Sequence, residues 1–220
     1  MIRAIKTVLT KDLNLELRTR YAINTLLAFT GVALLLILFA LRADQLDPLP
    51  KSGLVWIVIL FAAMAGMARS FVYEVEQKTW PMLRVYAHPT DLYVGKLIYN
   101  FLFLLVLNLV TFILYMVLVG LAVENLFYLA SGLLFGALGL AAVTTMTSAM
   151  ISRADRRGAV FSVMSIPLLV PLLLILTRIT QVAFIEGSDP SALNDLAALV
   201  GYCGVTITAG VLLFDFIWDE

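Results

Sequence analysis

Charged residues make up only 14% of this chain of 220, where a soluble domain carries roughly 25%. Hydrophobic residues reach 62% and the mean hydropathy is +0.99, so too little polar surface remains to meet water on every side. The sequence therefore reads as one integral membrane domain over residues 1–220, with no room for a second, soluble one. Cysteine is nearly absent. Cys203 alone lies inside an apolar run, which excludes a disulfide framework, a redox pair and a cysteine metal cluster, and leaves a small packing residue. A phosphate loop is missing too: Gly95 and Lys96 have no glycine five residues before them and no Ser or Thr after them. The basic and acidic residues balance, at 15 each, and no nucleic-acid partner is expected.

What is present is a series of apolar segments, at about Ala22–Leu41, Ser52–Ala68, Leu97–Val119, Leu126–Ile151, Ala159–Thr177 and Leu196–Phe214. Each has the roughly 17–25 residues a helix needs to cross hydrocarbon. Buried helices of a soluble protein are excluded, because no polar faces remain for water. Trp56 and Tyr99 are placed at membrane interfaces by the usual preference of such side chains. None of the six segments contains Asp, Glu, Lys, Arg or His. Ion-coupled carriers need ionisable groups at membrane depth, and an intramembrane hydrolase needs a general base or a metal ligand. Neither can be assembled, so any work the chain does must draw its energy from another polypeptide, and no catalytic or metal-binding residue is expected.

Ahead of the first segment, Ile2, Ile5, Leu9, Leu13 and Leu17 fall on one arc at helical spacing, with Arg3, Lys6, Lys11, Arg18 and Arg20 around them. This predicts an amphipathic helix over residues 1–20, lying in the membrane interface rather than serving as a cleaved signal. Lysine and arginine then orient the spans. Twelve fall in the N-terminus, Arg69–Lys96 and Ser152–Gly158, against three in the alternate loops. Both termini are thereby predicted to be cytoplasmic.

The interval Arg69–Lys96 is the longest polar stretch between apolar segments. Ser70 is placed to cap a short helix with Glu74 in its first turn, and Pro81 and Pro89 should cut the interval into short pieces. Two spans would thus hold out a stiff, partly apolar element (Trp80, Met82, Leu83, Val85, Tyr86) for a soluble partner to push on. Glu74, Glu76 and Arg84 would supply its charge. A solvated connector is the alternative. His88, the only histidine, suits a solvated turn here better than an axial iron ligand, and no CxxCH haem-attachment motif exists.

Within the spans, Asn100, Asn108, Thr111, Thr144, Thr145, Thr147 and Ser148 suit hydrogen bonds between helices, worth about 0.6 kcal/mol each. Gly132, Gly136 and Gly139 form a small-residue face for a closely approaching helix, within the subunit or from a second copy. Pro167 and Pro171, one turn apart in the fifth span, should kink it, as a packing feature or as a hinge.

The run ARSFVYEVEQKTWPMLRVYAHPTDLYVGKLIYNF, residues Ala68–Phe101, resembles the cytoplasmic loop of the cytochrome c maturation protein B (haem exporter protein B, CcmB) family. Arg69 and Phe71 ahead of Glu74, then Leu83, Arg84, Pro89, Gly95 and Lys96 carry the likeness. Arg156, Arg157 and Gly158 followed by SIPLLVPLLL, with Pro167 and Pro171, match again, and the resemblance covers essentially the whole chain. Residues Gln77 to Pro81 depart from the commoner glycine-containing version, which bears on the local shape of the coupling helix. The resemblance implies an all-α, six-span permease like those of type-2 ABC exporters, in the bacterial inner membrane. It further implies a second copy of the chain and a separate, CcmA-like ATPase that uses the ATP. A CcmC-like haem-handling membrane protein and a small membrane subunit would complete the assembly. Haem enters as possible substrate, with no cofactor bound by this chain. Its Glu74, Glu76, Trp80, Met82, Leu83 and Arg84 would form the ATPase-coupling surface. A permease for a lipid or drug, and a membrane adaptor without transport, are the competing readings.

Overall fold

The computed structural model describes residues 2–42, 45–67, 70, 71, 74, 76, 88–152, 157–185 and 190–219. These form helices α1 (Ile2–Thr19), α2 (Tyr21–Leu41), α3 (Pro48–Met67), α4 (Pro89–Val119), α5 (Leu126–Ile151), α6 (Arg157–Ala183) and α7 (Ala192–Asp219). No strand occurs among the described residues. Six of the helices, α2 to α7, are long and apolar enough to cross a membrane. The all-helical, six-span architecture expected from the apolar segments is therefore present.

Local chemistry sets several helix ends. Glu16 accepts a hydrogen bond from the Ile23 N–H at 2.9 Å, so a side chain of α1 satisfies a donor in the first turn of α2. Pro89 occupies the start of α4, where its missing N–H costs nothing and its fixed φ suits a helix. Asp91 lies in that first turn, where a carboxylate meets the positive end of the helix dipole. Pro89 thus begins a helix instead of dividing the polar interval into pieces, and Pro89–Lys96 belongs to α4. At its other end, Gly120 takes φ +69° and returns its N–H to the Met116 carbonyl at 2.9 Å, a left-handed cap that suits glycine.

Helix α5 is the axis of the bundle. It packs against α3, α4, α6 and α7, and Ala141 to Ala149 are all buried. In lipid there is no hydrophobic drive between helices, so association depends on close packing and hydrogen bonds. Small residues of α5 permit that packing. A Cβ on Gly136 would come 2.5 Å from the Trp56 ring of α3, and one on Gly139 would come 2.8 Å from Leu172 of α6. The glycine face thus serves contacts inside the subunit. Trp56 is buried, at 1% exposure, and donates from Nε1 to Thr180 Oγ1 at 2.8 Å. It is a core residue, not the interfacial anchor its type predicts, because Gly136 leaves room for its ring and Thr180 satisfies its N–H.

Among the described residues of helix α2, the buried ones form a narrow stripe, Leu26, Thr30 and Leu34. Leu27, Phe29, Val32, Leu35, Leu36 and Phe39 on its other sides are exposed, as a lipid-facing helix requires. Helix α6 runs unbroken through Pro167 and Pro171, both on its exposed side. Between these prolines, Tyr202 of α7 donates to the Leu168 carbonyl, tying the two helices together at the proline segment.

Candidate functional site

The candidate site is the start of the segment linking α3 to α4, together with what holds it. Of the residues proposed for a partner surface, Trp80, Met82, Leu83 and Arg84 lie outside the described residues. Glu76 is exposed. Glu74 is not: its side chain is 1% exposed and turned into the protein.

There it meets two lysines. Glu74 Oε1 lies 2.6 Å from Lys11 Nζ and 2.9 Å from Lys96 Nζ. Asp12 joins them, 3.1 Å from Lys11 and 3.2 Å from Lys96. Lys96 also donates to the Ser70 carbonyl at 2.6 Å. The two positive and two negative charges balance. Three of the four side chains are buried, whereas Lys11 remains 42% exposed at the rim.

The environment of Glu74 has opposing effects. Burial alone would raise its pKa, but the attraction of Lys96 and Lys11 outweighs burial and holds the carboxyl below its ordinary value. For Lys11, burial pulls the pKa down, while Glu74 and Asp12 more than compensate and raise it. Each group favours the charge of the other.

Sequence order explains how α1 reaches this place. Asp12 and Val8 occupy one side of α1 and are buried, while Leu13 and Leu17 on the neighbouring arc are exposed. Only part of the apolar arc is thus left outward, as an interfacial helix needs. The buried side meets α4 at Gly95, where a Cβ would come 2.9 Å from the Val8 Cβ and 3.4 Å from the Ile5 carbonyl oxygen. Glycine leaves room there for the Val8 side chain of α1 to sit directly on α4.

Two further contacts anchor residues 70 and 71. Asn100 Nδ2 donates to Ser70 Oγ at 3.1 Å and to Thr145 Oγ1 at 2.7 Å, linking the segment, α4 and α5. The Phe71 N–H donates to Ser148 Oγ at 3.2 Å. Ser70 therefore directs its hydroxyl to Asn100. The Phe71 ring packs 5.2 Å from that of Phe214 in α7, with Tyr93 5.3 Å from the same ring. Lys96 Nζ lies 5.0 Å from the Phe71 centroid, within cation–π range.

A family model, that of the CcmB protein, matches residues 3–214. The chain belongs to the CcmB protein family. The match runs from α1 to the last turns of α7 and so takes in the whole bundle, the linking segment and the charge cluster. Membership makes the chain a membrane permease of the ABC type that serves cytochrome c biogenesis. No curated protein matches the chain closely enough to count as a relative.

Reading the sequence alone missed Lys11, Asp12 and Lys96 as a unit. The available signal was the scarcity of charge: a lysine at the mouth of an apolar span requires a partner. Which carboxylate it meets depends on helix packing across 84 residues, and spacing in a single sequence does not reveal that.

Proposed function

We propose that the chain is the permease subunit of an inner-membrane ABC complex that exports haem, or drives its delivery, to the periplasm for c-type cytochromes. The match to the CcmB family over residues 3–214 carries this reading. Both termini and the segment between α3 and α4 face the cytoplasm, in keeping with the lysine and arginine distribution. A separate ATPase binds that segment and supplies the energy, and a second copy of the chain completes the permease. A haem-handling membrane protein and a small membrane subunit act beside it, and haem is cargo rather than a resident cofactor.

Within this reading, Glu74 belongs behind the contact surface, which falls to Glu76, Trp80, Met82, Leu83 and Arg84. An apolar side chain such as Leu83 would seat in a groove of the ATPase. A Leu83→Asp substitution puts an unpaired charge there and should weaken ATPase binding by about 3–5 kcal/mol, while the permease inserts normally. Co-purification of the ATPase with wild-type and L83D permease measures this. Equal recovery and equal ATP turnover would show that the segment is only a connector.

A further inference from the structure

The geometry points to a fixed joint at Lys11, Asp12, Glu74 and Lys96: these positioning residues make α1, the start of the α3–α4 segment and the first turns of α4 move as one body. The inference rests on the permease reading above. It concerns how displacement at the segment reaches the spans.

Three observations carry it. First, the four charges come from three pieces of chain: Lys11 and Asp12 from α1, Glu74 from the segment and Lys96 from α4. Apolar residues of similar volume commonly stabilise a protein as well as buried ion pairs do, whereas the best-attested use of such pairs is to fix register. Among the described residues of a chain with 14% charge, this cluster is a specific device.

Second, its connections are multiple and short. An ammonium has three donors, and those of Lys96 face Asp12 at 3.2 Å, Glu74 at 2.9 Å and the Ser70 carbonyl at 2.6 Å. Lys11 bridges the same two carboxylates from the other side. A single long side chain could swivel, but one held by all three pieces cannot.

Third, α1 and α4 pack closely beneath the cluster through the Val8 side chain. At Gly95 the helices α1 and α4 are in direct contact, with the Val8 Cβ 2.9 Å from where a Cβ would stand. Beyond the cluster, Phe71 is bonded to Ser148 of α5. A displacement arriving at residue 74 is therefore passed directly to Lys11 of α1 and Lys96 of α4.

Two variants of the full chain, in complex with its ATPase, test the joint. Glu74→Gln keeps the shape and removes the charge. It should insert, retain the ATPase and hydrolyse ATP at the wild-type rate, yet lose most c-type cytochrome output. Loss of ATPase binding would make Glu74 a partner contact, and unchanged output would make the cluster merely a stabiliser; either overturns the proposal. Val8→Cys with Gly95→Cys supplies the second arm, because a slight shift brings their Cβ atoms to the roughly 3.5–4.5 Å that a disulfide spans. Oxidation should leave output equal to that of the reduced double variant. A loss on oxidation, reversed by reductant, would show that α1 and α4 separate during the cycle and would overturn the proposal even if Glu74→Gln failed to insert. A wild-type complex that recruits no ATPase or yields no cytochrome would instead refute the permease reading.

Discussion

Lys96 stands at the mouth of α4, yet its side chain points inward and is only 3% exposed. What keeps a lysine there is a pair of carboxylates, Asp12 and Glu74, with Lys11 balancing the second negative charge. The sign of the pH dependence follows from the shifts. Glu74 has a depressed pKa in the folded chain, so its stabilisation is complete above the ordinary carboxylate value and is lost as pH falls through the depressed one. Lys11 has a raised pKa, so its stabilisation is present below the ordinary lysine value and is lost as pH rises through the raised one. The Glu74–Lys11 pair is therefore charged on both sides across neutral pH. Thermal unfolding in micelles should show stability falling below about pH 4, with a shallower acid limb in Glu74→Gln. An identical limb in the variant would remove Glu74 from the account. In the sequence, Glu74 reads as a charge for a partner, because nothing in its neighbours reveals that α1 folds back over it.

Helices are where sequence reading succeeds best and where packing adds most. Six apolar stretches without an ionisable residue admit few structures besides spanning helices, so α2 to α7 were legible. The start of α4 was not, because Asp91 and Lys96 read as loop until Pro89 is seen to begin the helix. The use of the glycines also needed the structure. Gly136→Ala should destabilise the bundle by about 1–3 kcal/mol, since the new methyl would press on Trp56 and Leu176. Gly201→Ala, with nothing within 4 Å, should be neutral or slightly stabilising. Unfolding midpoints of both variants decide it, and equal midpoints would contradict the packing assigned to α5. The paired prolines of α6 are proposed as its hinge. Pro171→Ala restores a backbone donor and stiffens the helix, so cytochrome output should fall while insertion stays normal. Unchanged output would leave Pro167 and Pro171 as packing features.

On the scale of the whole molecule, the family match and the six spans leave orientation and coupling as the claims to test. Reporter fusions after Asp47, Glu124 and Asp189 should read periplasmic, and one after His88 cytoplasmic. Opposite readings at two of these sites would invert or break the topology. The central claim is that this permease converts ATP hydrolysis by a partner into haem delivery for c-type cytochromes. Its most direct measurement is haem-stained cytochrome c in cells that lack their own CcmB-family permease but keep the ATPase and haem-handling partners. Expression of the chain should restore the stain, and a hydrolysis-deficient ATPase should abolish it. No restoration despite an inserted, ATPase-bound permease, or full restoration with the inactive ATPase, would contradict the account.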